Sequence, residues 1–303
     1  MDENRSRETV DTGRRLFCLA GSLSVFAAGA AGGVASFLAV MPQGAQGASV
    51  PPAQDTQGDT DEQRIADLVT GNHILFDQGV VDGFGHISVR CVKNPSHFWL
   101  SQSRAPGMVS KEDIMEFNED SEPVDATGRP TYSERFIHGE IYRARPDVIS
   151  VVHSHAPGVI PFGVTGVALR PVISTAGFLP PVTPIFEIRE VVGEDNGMLV
   201  ASNKIGAGLA KVMGKSPVVL MRGHGDAVAG PSVKAAVYQA IYTQLNAQIE
   251  AESLTLGQGK VTYLNSMESA KVTATTMKQG GLDRVWQIWK VRAEANLASL
   301  KGS

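Results

Sequence analysis

Residues 148–155 read Val148-Ile149-Ser150-Val151-Val152-His153-Ser154-His155. The β-branched run predicts a core strand over 148–153. In a strand, residues i and i+2 point to one face, so His153 and His155 stand side by side. Two imidazoles on one face make half of a metal site. Catalytic sites for zinc and similar ions take three protein ligands and keep one position open. A strand face that is merely polar shows the same pattern, so the pair alone does not decide between the two readings.

Toward the C-terminus, Val218-Val219-Leu220-Met221 reads as a second buried strand. It leads into Arg222-Gly223-His224-Gly225, where the glycines allow close backbone approach. His224 is therefore a candidate third ligand. Gly230-Pro231-Ser232 opens a long helix reaching about Leu256, and a last helix is expected over 281–300, with Trp286 and Trp289 at helical spacing.

Toward the N-terminus, Pro146 in Arg145-Pro146-Asp147 restricts the residue before it and ends a helix expected over 134–144. Ser133 is the expected N-cap of that helix. Glu134 and His138, four apart, share one helix face, and His138 reads as an ordinary surface neighbour. Residues 84–91 alternate as a half-buried strand does, with 98–101 as a partner strand. His86, between Gly85 and Ile87, is either a hydrogen-bonded core histidine or a site group. Ile65, Leu68, Val69 and Leu75 recur at helical spacing and predict an opening helix over 63–79. His73 and His97 receive no assignment. Strands mixed with helices, without an internal repeat, predict a single α/β domain over 63–303.

The 303 residues are 43% hydrophobic and 19% charged, ample for one large core. The net charge is −4, and residues 1–48 hold four arginines against four acids, so the imbalance lies in the remainder. Without a basic patch, a nucleic-acid partner is not expected. After Arg14-Arg15 no charge appears until Asp55; residues 16–40 are apolar and rich in Ala and Gly, and 43–49 are small. A charged start, an apolar stretch and a small-residue end make an export signal. Arg14-Arg15-Leu16-Phe17 resembles the twin-arginine type. Residues 1–48 are thus expected to act as a signal that carries the chain to the periplasm, leaving no stable membrane partner once removed. The alternative is a retained anchor, since the stretch is long enough to span a bilayer. Residues 49–62, Pro-, Gln-, Asp- and Gly-rich without periodicity, are expected to be a linker. Of the two cysteines, Cys18 lies in the signal. Cys91 alone cannot form an internal disulfide or a Cys-based zinc site, so the histidines are the place to look for ligands.

Five segments occur in order: Asp82-Gly83-Phe84-Gly85-His86-Ile87-Ser88-Val89-Arg90, Ser133-Glu134-Arg135-Phe136-Ile137-His138, Arg145-Pro146-Asp147, Val151-Val152-His153-Ser154-His155 and Arg222-Gly223-His224-Gly225. Together they resemble the class II aldolase/adducin family, from about Ile65 to Leu256. The resemblance implies a three-layer αβα fold around a mainly antiparallel central sheet, and homotetramers with sites between subunits. It also implies a divalent metal, zinc or manganese first, on His153, His155 and His224, with Glu134 beside it as acid/base. Adducin-like members of the family are non-enzymatic scaffolds that lack the complete set. The aldolases carry Asn where this chain has His86, and a Thr/Ser/Gly-rich phosphate loop where it has residues 100–107. The Gly-His-x-Ser-Val-Arg and Glu-Arg-Phe-Ile-His forms look instead like a branch of decarboxylases acting on dihydroxyphthalate and on hydroxy-methylpyridine dicarboxylate. Those relatives often carry His at the position of Ser174.

The expected function is therefore a metal-dependent lyase that breaks a carbon–carbon bond through a metal-stabilised enolate, by decarboxylation of a hydroxy-aromatic or related acid. Glu134 or His86 would protonate the carbon. Arg104 or Arg222 would hold a second carboxylate, or else each forms a structural salt bridge. Ser88 and Ser133 complete the expected substrate contacts. An aldolase or epimerase acting on a small hydroxy-carbonyl or sugar-phosphate compound is the second reading, and a non-catalytic binding module the third.

Overall fold

The computed structural model describes residues 59–302, within the unit Ala48–Ser303. The expected signal, the membrane-anchor alternative, Cys18 and nearly all of the expected linker lie outside these residues. In chain order the elements are α1 (Asp61–Asp77), β1 (His86–Arg90), β2 (Phe98–Ser101), β3 (Ile114–Phe117), α2 (Phe136–Ala144), β4 (Ser150–Ser154), α3 (Ile160–Thr165), β5 (Ile185–Phe186), α4 (Arg189–Val192), α5 (Asn203–Met213), β6 (Val218–Met221), β7 (Gly225–Gly230), α6 (Val233–Leu256), α7 (Ser266–Thr276) and α8 (Gln279–Gly302). The seven strands form one sheet in the order β3-β2-β1-β4-β7-β6-β5, antiparallel throughout except for the β5–β6 pair.

The sheet has a core on each face, which makes three layers. Ile87, Val89, Val152, Leu220 and Val228 pack with Leu68 and Leu75 of α1, Val237 of α6 and Trp286 of α8. Val151, Val219, Met221 and Ala227 pack on the other side with Ile137 and Ile141 of α2 and Leu209 and Met213 of α5. Alternation along each strand sends its side chains to the two layers in turn. By that parity His86, Ser88 and Arg90, and also Val151 and His153, belong to the α2 face. The polar row is thus covered by His138 and Tyr142 of α2 rather than facing water.

Helix starts follow local capping chemistry. Thr60 accepts the amide of Gln63 ahead of Asp61 and Glu62 in the first turn of α1. Helix α1 therefore begins two residues inside the segment expected as linker. Ser232 caps α6 through the Ala235 amide, and Asn265 with Glu268 forms a capping box on α7. Ser133 does not cap α2. Residues 133–135 form a turn with Ile137 N–H on the Glu134 carbonyl and His138 N–H on that of Arg135, and the helix proper starts at Phe136. Cys91 is a buried free thiol, and among the described residues no helix is long and apolar enough to cross a membrane.

Candidate metal centre

Strand β4 ends at Ser154, and His155 continues its parity, so His153 and His155 lie on the same side. Their Nε2 atoms are 3.2 Å apart. The third histidine arrives from the β6–β7 turn. Gly223 has φ +64°, a left-handed conformation that glycine adopts at no steric cost. At Gly225 a Cβ would collide with the Ser154 carbonyl, so only glycine lets β7 lie this close to β4. With Ser154 opposite Asp226 in that ladder, His224 Nε2 comes within 2.9 Å of His155 Nε2.

Glu134 enters from the turn before α2. Its Oε1 accepts the amide of Val200 at 3.0 Å, which leaves Oε2 toward the histidines: 3.3 Å from His153 Nε2, 3.4 Å from His224 Nε2 and 4.0 Å from His155 Nε2. The four side chains each offer one ligand atom, all within 4.8 Å of one another. The outer nitrogens orient two of the rings. His153 Nδ1 donates to the Asp226 carbonyl at 2.9 Å and His224 Nδ1 to the Met198 carbonyl at 2.8 Å. An imidazole that spends its N–H on a carbonyl presents the other nitrogen as an electron-pair donor, as metal-bound histidines do. Two rings oriented in this way, the Nε2 of His155 and a carboxylate, all facing one point, suit a divalent cation.

Protonation agrees with that chemistry. Burial, with His153 and His224 nearby, pushes His155 down to about 4, so it is neutral at pH 7. Burial alone would raise the carboxyl of Glu134; hydrogen bonds with His153 and His224 outweigh it and hold the group ionised, well below the usual range. Burial would lower His153, but the hydrogen bond and charge of Glu134 raise it. Its Nε2 is therefore a position for a proton shared with Glu134 or for an ion.

Around the cluster the expected residues fare differently. His86, opposite His153 in the β1–β4 ladder, is buried, its ring 5.2 Å from that of His153. His138 is not a surface residue: it is fully buried, with Nε2 2.7 Å from His86 Nδ1 and Nδ1 2.6 Å from Ser88 Oγ. Ser88 Oγ is also 2.8 Å from the Tyr142 hydroxyl. Ser88 is thus fully buried behind His86 with both hydrogen-bonding directions used, and is not placed to touch a substrate. Burial lowers His86 well below its ordinary value and His138 to about 3, so both rings are neutral. Ser133 is exposed and caps nothing. Arg222 is committed to Glu187 and Arg104 to Asp113 at 3.1 Å, the salt-bridge alternative for each. Sequence reasoning missed the backbone carbonyls of Met198 and Asp226 and the Val200 amide. Main-chain groups leave no trace in residue identity, though Met198, a non-glycine residue at φ +60°, marks a constrained segment.

Residues 66–251 match the family described as the Class II Aldolase and Adducin N-terminal domain. The chain belongs to that family. Among curated members it is 37% identical to the decarboxylase tropJ of Talaromyces stipitatus over 244 residues, 74% of this chain and 92% of that protein. It is 36% identical to a 3,4-dihydroxyphthalate decarboxylase of Arthrobacter keyseri over 182 residues, 55% of this chain and 69% of that protein. Among solved members of the fold, the L-fuculose 1-phosphate aldolase of Glaciozyma antarctica superposes with a TM-score of 0.62 at 18% identity, covering 80% of this chain and 94% of its own. An aldolase II superfamily protein of Pseudomonas syringae gives 0.65 at 18% identity, over 80% and 96%. At that identity the two structures speak for the class II aldolase fold alone. The decarboxylase relatives support a lyase.

Proposed function

We propose that this chain is a divalent-metal-dependent decarboxylase of a hydroxy-aromatic or related carboxylic acid. The observation that carries the proposal is the convergence of His153, His155, His224 and Glu134 on one point, in a chain 37% identical to a decarboxylase. His153, His155 and His224 would hold the ion, zinc or manganese, and Glu134 would stand beside it. When bound, such an ion supplies Lewis acidity for the charge that develops on a substrate oxygen as the carbon–carbon bond breaks.

The protein's own groups do the rest. Glu134 is fixed by the Val200 amide at one oxygen, so the other, ionised, can take up a proton and pass it on at a defined place. His86 is the second proton-transfer candidate, fixed through Nδ1 by His138 and hence in one orientation. Arg104 meets Asp113 through Nη1 and Arg222 meets Glu187 through Nε, so a second substrate carboxylate would be held by the remaining N–H groups of either guanidinium. A small-molecule substrate acting at a homotetrameric enzyme fits this family, and we include both in the reading.

The test is elemental analysis of purified protein reconstituted with zinc and with manganese, followed by carbon dioxide release from dihydroxyphthalates. About one ion per chain and release of carbon dioxide are expected. No bound ion would sink the proposal. Cleavage of L-fuculose 1-phosphate without carbon dioxide release from any aromatic acid would replace it with the aldolase reading.

We also propose export of the folded chain through the segment 1–48, on the strength of Arg14-Arg15 ahead of an uncharged apolar run. A fusion to a reporter that must fold before export should reach the periplasm, and changing both arginines to Lys should block it. Equal export by the double variant would remove the twin-arginine reading.

A further inference from the structure

Of the four converging side chains, three are nearly closed to solvent. His153 is 1% exposed, Glu134 7% and His224 8%, whereas His155 is 36% exposed. The cluster therefore opens over His155. The residue at that opening is Phe84, whose ring lies 5.9 Å from that of His155 at an interplanar angle of 19°. Phe84 is itself 69% exposed.

Single exposed apolar residues are ordinary on protein surfaces; this one is held in place. The amide of Phe84 donates to Asp82 Oδ1 at 2.8 Å, and the Asp82 amide donates to the Phe84 carbonyl at 3.2 Å. Gly85 follows at φ +88°, where a Cβ would stand 2.6 Å from Val81 Cγ1 and 3.0 Å from the His153 carbonyl. The segment bearing the exposed ring is thus wedged against the strand that bears the histidines. Rings then follow in series: Phe84, His155, His153, His86 and Tyr132, with successive centroids 5.9, 5.0, 5.2 and 4.4 Å apart. Tyr132, partly buried, ends the series at the other side, its hydroxyl tied to Ser101 and to the Arg104 carbonyl. Phe84 ends it at the surface of this chain.

We propose that Phe84 is the specificity-determining residue of this site, a stacking platform that favours aromatic over aliphatic acids. The inference rests on the acid-binding reading of the metal centre and names the substrate class it selects. An acid whose oxygens reach the cluster must pass His155, and a planar ring attached to those oxygens would then lie along the ring of Phe84. Offset stacking covers both apolar faces. An aliphatic acid of the same donor pattern reaches the cluster and leaves Phe84 wet.

The test is calorimetric titration of the zinc-loaded protein with 2,3-dihydroxybenzoate and with malate, using the parent, Phe84→Ala, Phe84→Leu and Phe84→Trp. Metal content and melting temperature are measured for each variant. For dihydroxybenzoate, Phe84→Ala should weaken binding roughly tenfold, Phe84→Leu by less, and Phe84→Trp should match the parent. Malate binding should not change. Equal dihydroxybenzoate binding by Phe84→Ala and parent, at full metal content, would overturn the inference, as would equal weakening of both acids. A parent that binds malate but not dihydroxybenzoate would overturn the aromatic-acid reading itself, and this inference with it.

Discussion

His155 Nε2 and His224 Nε2 stand 2.9 Å apart although 69 residues separate them in the chain. Two neutral imidazoles whose nitrogen lone pairs face each other at that distance repel unless a proton or a cation lies between them. Without an ion, that proton is the Nε2–H of one uncharged imidazole tautomer; a cation held by both nitrogens takes its place. Replacing His155 with Ala should weaken metal binding by more than about 100-fold while the fold is retained, because the residue is the most exposed of the set. Competition with a chelator of known affinity measures the change. Unchanged zinc content of the variant after exhaustive dialysis would remove His155 from the ligand set.

Glu134→Gln separates proton transfer from ligation. Gln keeps the shape and can still accept the Val200 amide. With three histidines remaining, metal content should hold. Turnover should fall by roughly 100- to 10,000-fold, the usual worth of a general acid or base. Loss of metal together with rate would make Glu134 chiefly a ligand, and an unchanged rate would move the proton transfer to His86.

Ser88 is expected to matter for stability and not for substrate affinity. Ser88→Ala leaves His138 Nδ1 without its partner in a buried site, and leaves the Tyr142 hydroxyl with only the Ile149 carbonyl at 3.4 Å. An unsatisfied buried group costs about 1–3 kcal/mol, to be read from urea unfolding. KM should stay within error of the parent. A raised KM with unchanged stability would restore Ser88 as a substrate contact.

Glu187 gives the protein an acid-sensitive contact beside the site. A hydrogen bond from Arg189, assisted by Arg222 and opposed by burial, depresses its carboxyl from 4.5 to about 2. A group whose folded pKa is depressed contributes stability above its unfolded value and loses it as pH falls through the folded one. The contribution is therefore complete above about pH 4.5 and is lost toward about pH 2. The melting temperature of Glu187→Gln should lie below that of the parent at pH 6, and the gap should narrow steadily toward pH 3. A gap that widens with acid would contradict the assignment.

What the sequence by itself determined was local. The β-branched run before His153 made a strand, and period two put His153 and His155 on one side of it. Val218–Met221 and Phe98–Ser101 are strands with the bounds their composition marks, and Ser232 starts the long helix as its cap. Each of these depends on residues a few positions apart. The tertiary structure alone decided which distant groups meet. Strand β7 reads Gly-Asp-Ala-Val-Ala-Gly, too small and glycine-rich to declare itself, yet its register with β4 brings His224 to His155. His138 looked like a surface neighbour of Glu134 because four-residue spacing says nothing of which layer a helix face meets. Packing of α2 on the polar row of β1 buried it against His86 and Ser88 instead. Arg222 and Arg104 are chemically able to bind a carboxylate, and it took the tertiary structure to bring one nitrogen of each to a protein carboxylate, Glu187 and Asp113. Periodicity and capping are encoded within a turn or two of chain, whereas register and layer contacts are set by packing the whole domain, where every strand constrains its neighbours at once.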